Sequence, residues 1–242
     1  MSTLTRLIIS SIIGLLMVSC NFSMDFGQGV IGNGNVVSTN RTISKAFNEI
    51  KISQGLDLYI TQSNDVSLNV EADDNLHNLI MTDVENNVLK IYTTENIRSA
   101  SSKKITLTIK DISAIKATSG SDVYSTNTIA VDALALTTTS GADMELEVNT
   151  KRLNCKSTSG SDIKLSGKTE QFYAEATSGS DIKASNLNAE TSSVKATSGA
   201  DISVNTSKEL TAKATSGGDV RYSGNPETVN TSDTSSGSVK RH

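Results

Sequence analysis

Six aspartates recur at nearly even spacing in the second half of the chain, and they are the residues best placed to do chemistry. Each ends a copy of the pentapeptide Thr-Ser-Gly-small-Asp, and successive copies lie 18 to 21 residues apart. The six are Asp122, Asp143, Asp162, Asp181, Asp201 and Asp219. Carboxylates in a regular row could bind a cation such as Ca²⁺, which takes about six to eight oxygen ligands. One hypothesis is therefore a weak cation or ligand stripe.

A purely structural ladder is the alternative that the sequence favours. Nonapeptide calcium solenoids carry Gly-Gly-x-Gly-x-Asp, whereas this repeat lacks the double glycine and has a period near twenty. Neighbouring carboxylates at strand spacing repel by about 0.8 kcal/mol per pair in water. The Lys-rich positions four residues before and after each glycine could offset that repulsion, and Asp beside Gly can also hydrogen-bond the turn backbone. We predict no metal site.

Enzymatic chemistry has weaker support. The two histidines, His77 and His242, have no recognisable catalytic partner, so a catalytic triad or a histidine-ligated metal is not predicted. Carboxylates on a β-helix could serve a polysaccharide-acting enzyme, but the chain has no Trp, four Phe and five Tyr to build a sugar cleft. Gly32-x-Gly34 is not a dinucleotide fingerprint because strands follow it. We expect a non-enzymatic protein without a cofactor.

The elements that must position the aspartates follow from alternation around each glycine. Positions are counted as offsets from the glycine of each pentapeptide, which is zero. Small or apolar residues occupy odd offsets and polar residues occupy even offsets, and this alternation with a period of two is typical of a strand. Offset −7 holds Ser113, Leu134, Leu153, Phe172, Ser192 and Leu210, and offset −5 holds Ile115, Leu136, Cys155, Ala174, Val194 and Ala212. Offset +3 holds Val123, Met144, Ile163, Ile182, Ile202 and Val220. The pattern predicts an all-β fold, a parallel β-helix of right-handed winding with rungs of about 20 residues, a corner at each glycine and the aspartates facing outward.

The front half continues in strands without the pentapeptide. Residues 47–112 alternate in short runs that Asn and Gly separate. The segment Asp73–Asp83 is the best candidate for a short irregular turn, and Asn35–Lys45 is expected to help cap this end of the solenoid.

Four motifs in this half resemble the bacterial head GIN domain, a family described as auto-transporter adhesins. They are Ile31–Val37 (IGNGNVV), Phe47–Ile50 (FNEI), Gly55–Gln62 (GLDLYITQ) and Val70–Leu76 (VEADDNL), and the Ala-Thr-Ser-Gly-Ser-Asp copies fit as well. The resemblance covers residues 31–224. It implies a β-helical domain of the cell envelope and transfers no catalytic residue.

The first twenty residues carry a sorting signal. Leu7–Val18 is an apolar run too short to span a bilayer, and it ends at Ser19-Cys20 in a pattern that resembles a bacterial lipobox. In such signals the cysteine is acylated and becomes the first residue of the mature protein. We therefore predict lipidation of Cys20, with an ordinary cleaved signal as the alternative.

Four segments result: a signal peptide at 1–19, a flexible tether at 20–30, the β-helix domain at 31–224, and a degenerate last rung with a polar tail at 225–242. Loss of Arg6 with the signal changes the net charge from −4 to 21 − 26 = −5. A mildly acidic chain with dispersed basic residues is not expected to bind nucleic acid. Cys155, in an inward column, is expected to be a buried thiol.

Two functions remain open at this point. The regular outer columns could bind a protein or glycan surface ligand by adding many weak contacts, as an adhesin would. The solenoid could instead be an envelope spacer with no specific ligand. Only Tyr124 and Tyr173 occupy outward offsets, which mildly favours a protein contact or a scaffold over sugar binding. The expected location is the bacterial envelope, attached to the outer membrane by the lipid.

Overall fold

The computed structural model describes residues 29–234 and 236–242, and within them the chain is built almost entirely from strands. In chain order these are β1 (Val30–Ile31), β2 (Val36–Arg41), β3 (Glu49–Ile52), β4 (Asp57–Gln62), β5 (Ser67–Asp73), β6 (Ile80–Glu85), β7 (Val88–Thr93), β8 (Ile97–Ser99), β9 (Lys103–Ile109), β10 (Ala114–Thr118), β11 (Asp122–Ser125), β12 (Ile129–Thr139), β13 (Asp143–Thr158), β14 (Asp162–Thr177), β15 (Asp181–Thr197), β16 (Asp201–Thr215), β17 (Asp219–Ser223), β18 (Thr228–Thr234) and β19 (Ser238–Arg241). A 3-10 turn at Asp74–Leu76 joins β5 to β6, inside the segment predicted to be irregular.

The repeat region is a parallel β-solenoid, as the alternation predicts. Strands β12 to β16 pair in parallel with their neighbours, and equivalent pentapeptide residues lie opposite each other. Asp143 lies opposite Asp162, and Asp162 lies opposite Asp181, so one coil there takes 19 residues. The repeat in sequence is therefore a repeat in space along the solenoid axis.

Each pentapeptide forms a corner with two consecutive residues of positive φ. In one copy Ser159 has φ 61° and Gly160 has φ 66°, and the other Thr-Ser-Gly copies repeat this geometry. The coil-to-coil hydrogen bonds continue through the corner, since the N–H of Gly160 donates to the carbonyl of Ser178 at 3.2 Å and that of Asp162 donates to Ala142 at 3.2 Å. Glycine at the second position avoids the Cβ penalty of this conformation, while serine bears it at the first.

The core is a column of side chains that the odd offsets supply. The −5 and +3 columns are buried in every copy, and Cys155 is 5% exposed. The −7 column is buried from Leu134 onward, but Ser113 is exposed and Ile112 is buried beside it, so the prediction was wrong at that copy. The irregular link between β9 and β10 shifts the alternation by one residue there.

The first coils do not stack in chain order. Ile50 of β3 pairs with Ile115 of β10 on one side and with Leu89 of β7 on the other. The coil formed by β3 and β4 therefore lies between the coil of β7 and β9 and the coil of β10 and β11.

Antiparallel strands close the front end. Strand β5 pairs antiparallel with β9, and β2 pairs antiparallel with β5. Strand β6 pairs antiparallel with β7, so both straight sides of the first coil are covered. Because β2 lies within Asn35–Lys45, the segment expected to cap this end does contribute to the cap.

The opposite end is a coil whose inward positions are partly polar. The segment 225–242 carries β18 and β19, which pair in parallel with β16 and β17. Thr231 and Asp233 of β18 lie opposite the buried Ala212 and Ala214. Among the described strands, none pairs with the outer edge of β18 or β19.

Candidate functional site

The aspartates of the pentapeptide form one continuous column, as predicted, and the structure adds a seventh member. Asp57 lies opposite Asp122, which in turn lies opposite Asp143. Gln54 and Gly55 form the matching corner, with φ 67° and 68°. The signal was present in the sequence as Gly55-Leu56-Asp57-Leu58, which matches the Gly-x-Asp-aliphatic part of the repeat, but without Thr-Ser it was read only as turn punctuation.

Basic side chains from the +4 position lie between the carboxylates along part of the column. The Nζ of Lys183 lies 2.6 Å from Asp162 and 3.4 Å from Asp181. Arg221 lies 3.7 Å from Asp201 and 4.0 Å from Asp219. These contacts provide the charge compensation that a structural ladder requires.

The Lys-rich −4 column does not provide it. Lys156 and Lys195 both approach Glu175 of their own column, at 4.0 and 3.1 Å. Lys164 of the +4 column likewise pairs with Glu145, at 2.7 Å. Charge compensation of the aspartates is therefore limited to the two pairs that Lys183 and Arg221 bridge. It is not spread over both flanking columns.

Burial is the main influence on the pKa values of three column members. Partial burial raises the pKa of Asp57, which Lys103 opposes, and partial burial also raises the pKa of Asp122, with further contributions from its neighbours Asp57 and Asp143. Partial burial raises the pKa of Asp201 despite the opposing charge of Arg221. Among the described residues, no group of three or more His, Cys, Asp and Glu side chains is placed to hold a metal ion.

Two tyrosines extend the +4 column at its front end. The rings of Tyr59 and Tyr124 stack with centroids 5.1 Å apart, and the Nζ of Lys104 lies 4.9 Å from the centre of the Tyr59 ring. Their faces therefore contact each other and a lysine, which makes them part of the ladder rather than a flat platform for a sugar. Tyr173 is the more open aromatic, with 44% of its surface exposed.

The glycine-rich motif near the N-terminus binds a buried carboxylate. Asp73 is fully buried and accepts backbone N–H groups from Gly34 at 2.8 Å, Ser101 at 2.9 Å and Ser102 at 3.1 Å. These donors, Gly34 first, hold the pKa of Asp73 below its usual range. A Cβ on Gly32 would lie 2.1 Å from the Oδ2 of Asp73. Two of the motifs behind the family resemblance are thus the two halves of one structural clamp.

The histidines take structural positions. The Nε2 of His77 lies 3.0 Å from the carbonyl of Val37 and so donates to it, while the Arg41 guanidinium donates to the His77 carbonyl at 2.7 Å. The backbone N–H of His242 donates to the Tyr222 carbonyl. Burial raises the pKa of the Cys155 thiol, which keeps it protonated. The predicted lipidation site, Cys20, lies outside the described residues.

The outer surface also contains a groove on the third side of the coils. Its volume is about 990 Å³ and it crosses the coils from Lys110 to Ser207. Nothing in the sequence indicated it, because most of its lining comes from the third-side parts of strands β12 to β16, which share no sequence motif. Within residues 29–234 and 236–242, no helix has the length and apolar character needed to cross a bilayer.

Comparison with known proteins gives the family. Residues 46–226 match the family model DUF2807, described as "Putative auto-transporter adhesin, head GIN domain". None of the curated proteins compared gives a significant match.

Solved structures share the fold. A "putative adhesin" from Bacteroides fragilis superposes with a TM-score of 0.82 at 23% identity, covering 88% of this chain and all (100%) of that one. A "putative lipid binding protein" from Parabacteroides distasonis has a TM-score of 0.74 at 22% identity, covering 89% and 100%. A "putative adhesin" from Parabacteroides merdae has a TM-score of 0.71 at 21% identity, with the same coverage of 89% and 100%. Since the family model spans most of the sequence, the chain belongs to the head GIN domain family.

Proposed function

We propose that this protein is a lipid-anchored, non-enzymatic binding module of the bacterial cell envelope that makes adhesive contacts through its repeated outer face. The observation that carries the proposal is the register of the outward columns. Equivalent polar residues lie opposite each other in coil after coil, as Lys164 does with Lys183 and Thr177 with Thr197. A surface of this kind offers the same contact many times, so weak contacts can add. The family description and the description of the similar structures as adhesins support the same role.

A non-enzymatic role is supported by what the reactive side chains already bind. His77 is engaged with the Val37 carbonyl, Asp73 with three backbone donors, and Asp162 with Lys183. None of these groups is left facing an open cleft beside a partner that could exchange a proton with it.

The position of β1, the first strand in the described part of the chain, supports presentation from an anchor. Strand β1 pairs with β8, next to the capped front end, and so the tether that would follow Cys20 joins the solenoid at that end. The polar coil of β18 and β19 is then the part of the molecule farthest along the axis from the anchor. An anchored solenoid would expose its outer columns between these two ends.

The anchoring part of the proposal has a matched pair of cysteine variants. Cells that produce the full chain are grown with radiolabelled palmitate, and the protein is then isolated. We expect label on the wild type and on Cys155→Ala, and none on Cys20→Ser. Label that persists on Cys20→Ser would contradict lipidation at Cys20.

The binding part is tested by adherence. Cells that produce the full chain are compared with cells that produce none. Both are grown to the same density, and their retention on a glycan-coated surface under flow is measured. We expect higher retention when the protein is present. Equal retention would favour the spacer role over the adhesin role.

A further inference from the structure

The groove on the third side of the solenoid has a regular wall in which four of five side chains can form hydrogen bonds, Ala130 being the exception. Its members occupy one register position in successive coils, so they are spaced along the axis by about 4.8 Å, the distance between neighbouring strands. They are Ala130, Asn149, Lys168, Asn188 and Asn205. Five such positions span about 20 Å. Asn149, Lys168 and Asn188 are exposed, and the Asn205 amide donates to the Oδ1 of Asn188 at 2.9 Å.

The opposite wall is charged, and two of its acidic residues pair with lysines, one of which, Lys208, lies outside the groove lining. The Nζ of Lys151 lies 2.8 Å from Asp132, and that of Lys208 lies 2.6 Å from Glu190. The groove lining contains three lysines and four acidic residues, so its net formal charge is 3 − 4 = −1. The lining residues are therefore close to neutral and would repel an anionic polymer weakly rather than attract it.

The floor is backbone and small side chains. The hydroxyl of Thr150 donates to that of Thr169 at 2.9 Å, and the hydroxyl of Thr169 donates to the Gln171 carbonyl at 3.2 Å. These hydroxyls are satisfied inside the coil. Among the described residues that line the groove, none is aromatic. The groove thus offers amides, ammonium groups and ion-pair edges, but no aromatic anchor for a protein hot spot and no aromatic ring on which a sugar could stack, so a sugar here would be held through hydrogen bonds.

The direction of the groove also argues against a peptide. It runs across the strands, whose backbone groups are engaged with the coils above and below. An extended peptide gains most of its affinity by adding to a free strand edge, and no such edge lies along the groove. A chain that is recognised through hydroxyl groups at a short, regular interval fits the arrangement better.

We propose that this groove binds an extended, uncharged polysaccharide chain lying along the solenoid axis, with successive sugar rings contacting successive coils. The inference rests on the proposed function and names its ligand class. The Asn149 and Asn188 amides donate to and accept from sugar hydroxyls, and Lys168 donates to ring or hydroxyl oxygens between them. Each contact is weak, and the number of coils supplies the affinity.

The test is a calorimetric titration of the purified full chain, kept in a detergent without a sugar headgroup. The probes are cellohexaose and xylohexaose, which are neutral, and hexagalacturonate, which is anionic. We expect at least one neutral probe to bind with a dissociation constant of about 1 mM or tighter, and the anionic probe to bind more weakly. The double variant Asn149→Ala/Asn188→Ala should weaken binding by about tenfold, since each lost neutral hydrogen bond costs about three- to tenfold.

Asn154→Ala is the matched control, because Asn154 is an exposed asparagine on a different face and does not line the groove. It should bind as the wild type does. Failure of both neutral probes to bind at up to about 10 mM, tighter binding of the anionic probe, or equal losses in the control would each overturn the groove assignment. If cells that produce the protein adhere but the purified protein binds no hexasaccharide, only the groove assignment is contradicted. If the protein gives no adherence, the proposed function itself is contradicted.

Discussion

Gly34 donates its backbone N–H to the buried carboxylate of Asp73 at 2.8 Å, across 39 residues of sequence. The contact fixes the segment before β2 against the end of β5, and both strands belong to the antiparallel cap of the solenoid. The front end is thus closed by a charged hydrogen-bonded clamp, and the remaining coils stack away from it.

Replacing Asp73 by alanine should lower the melting temperature by several degrees, because three backbone N–H groups, those of Gly34, Ser101 and Ser102, lose their buried acceptor. Asp74→Ala is the control, since Asp74 is the exposed neighbour. Thermal unfolding followed by circular dichroism measures both. Equal, small effects from the two variants would show that the clamp does not stabilise the cap.

The clamp also sets a pH dependence. The pKa of Asp73 is lowered in the folded state, so its contribution is fully present above the unfolded value of about 3.9 and is lost as the pH falls through the lower, folded value. Wild type and Asp73→Asn should therefore differ in stability at pH 7 and converge in strong acid. Urea unfolding at several pH values measures the difference, and a constant gap across that range would contradict the mechanism.

The contribution of Asp122, in the aspartate column, to stability should depend on pH in the opposite way to that of Asp73. Its pKa is raised, mainly by burial and then by Asp57 and Asp143, so the folded state holds the proton more firmly and gains relative stability as the pH falls towards the unfolded value. Asp122→Asn should be neutral to stabilising at pH 7, by no more than about 0.8 kcal/mol per relieved neighbour. Its advantage should disappear in acid.

Calcium is part of the same prediction. With a structural ladder, millimolar Ca²⁺ should leave the melting temperature of the wild type unchanged. A large upward shift that Asp122→Asn abolishes would establish the cation stripe instead.

Alanine substitutions at two glycines distinguish the cost of backbone strain from the cost of a steric clash. A Cβ on Gly160 meets no atom within 4 Å, whereas one on Gly167 would lie 2.1 Å from the Val148 carbonyl oxygen. Both glycines have positive φ. Gly160→Ala should cost about 1 kcal/mol, and Gly167→Ala about 3 kcal/mol or more because backbone must move. Chemical denaturation of the pair measures the difference, and similar costs would mean that the coil yields easily at its third side.

The last coil should prevent end-to-end association. Parallel strand edges at a solenoid end are templates for further pairing, and inward polar or charged residues block it. Thr231 and Asp233 occupy inward positions on β18 and are exposed. The double variant Thr231→Val/Asp233→Val should form oligomers, visible by sedimentation velocity. The matched variant Asn230→Val/Ser232→Val, at outward positions of the same strand, should remain in the state of the wild type.

The repeat made much of this fold predictable. Registration on the glycines predicts the parallel coils, the buried column around Cys155 and the outward row of aspartates, because a period of two within a period of about twenty has one simple structural solution. The order of the first coils was not predictable in this way. The pairing of Ile50 with both Leu89 and Ile115 depends on contacts between distant segments that carry no common motif.

The site was less predictable than the fold. Asp57 lacked the Thr-Ser half of the motif, and the groove depends on how the third side of each coil bends. The role of Gly32-x-Gly34 also required the structure, because its partner Asp73 lies in another strand. Charge compensation was predicted from both Lys-rich columns, whereas only Lys183 and Arg221 of the +4 column provide it.

The central claim is that contacts add along the repeated face, and changing the number of coils tests it most directly. Deleting residues 162–180 removes one coil of 19 residues and joins Ser161 to Asp181, which occupies the same register position as Asp162. Duplicating the same segment adds one coil. Retention under flow is measured for cells with equal amounts of the shortened, natural and lengthened proteins on one glycan-coated surface. The account predicts that retention rises with each added coil, and retention that is independent of coil number would contradict it.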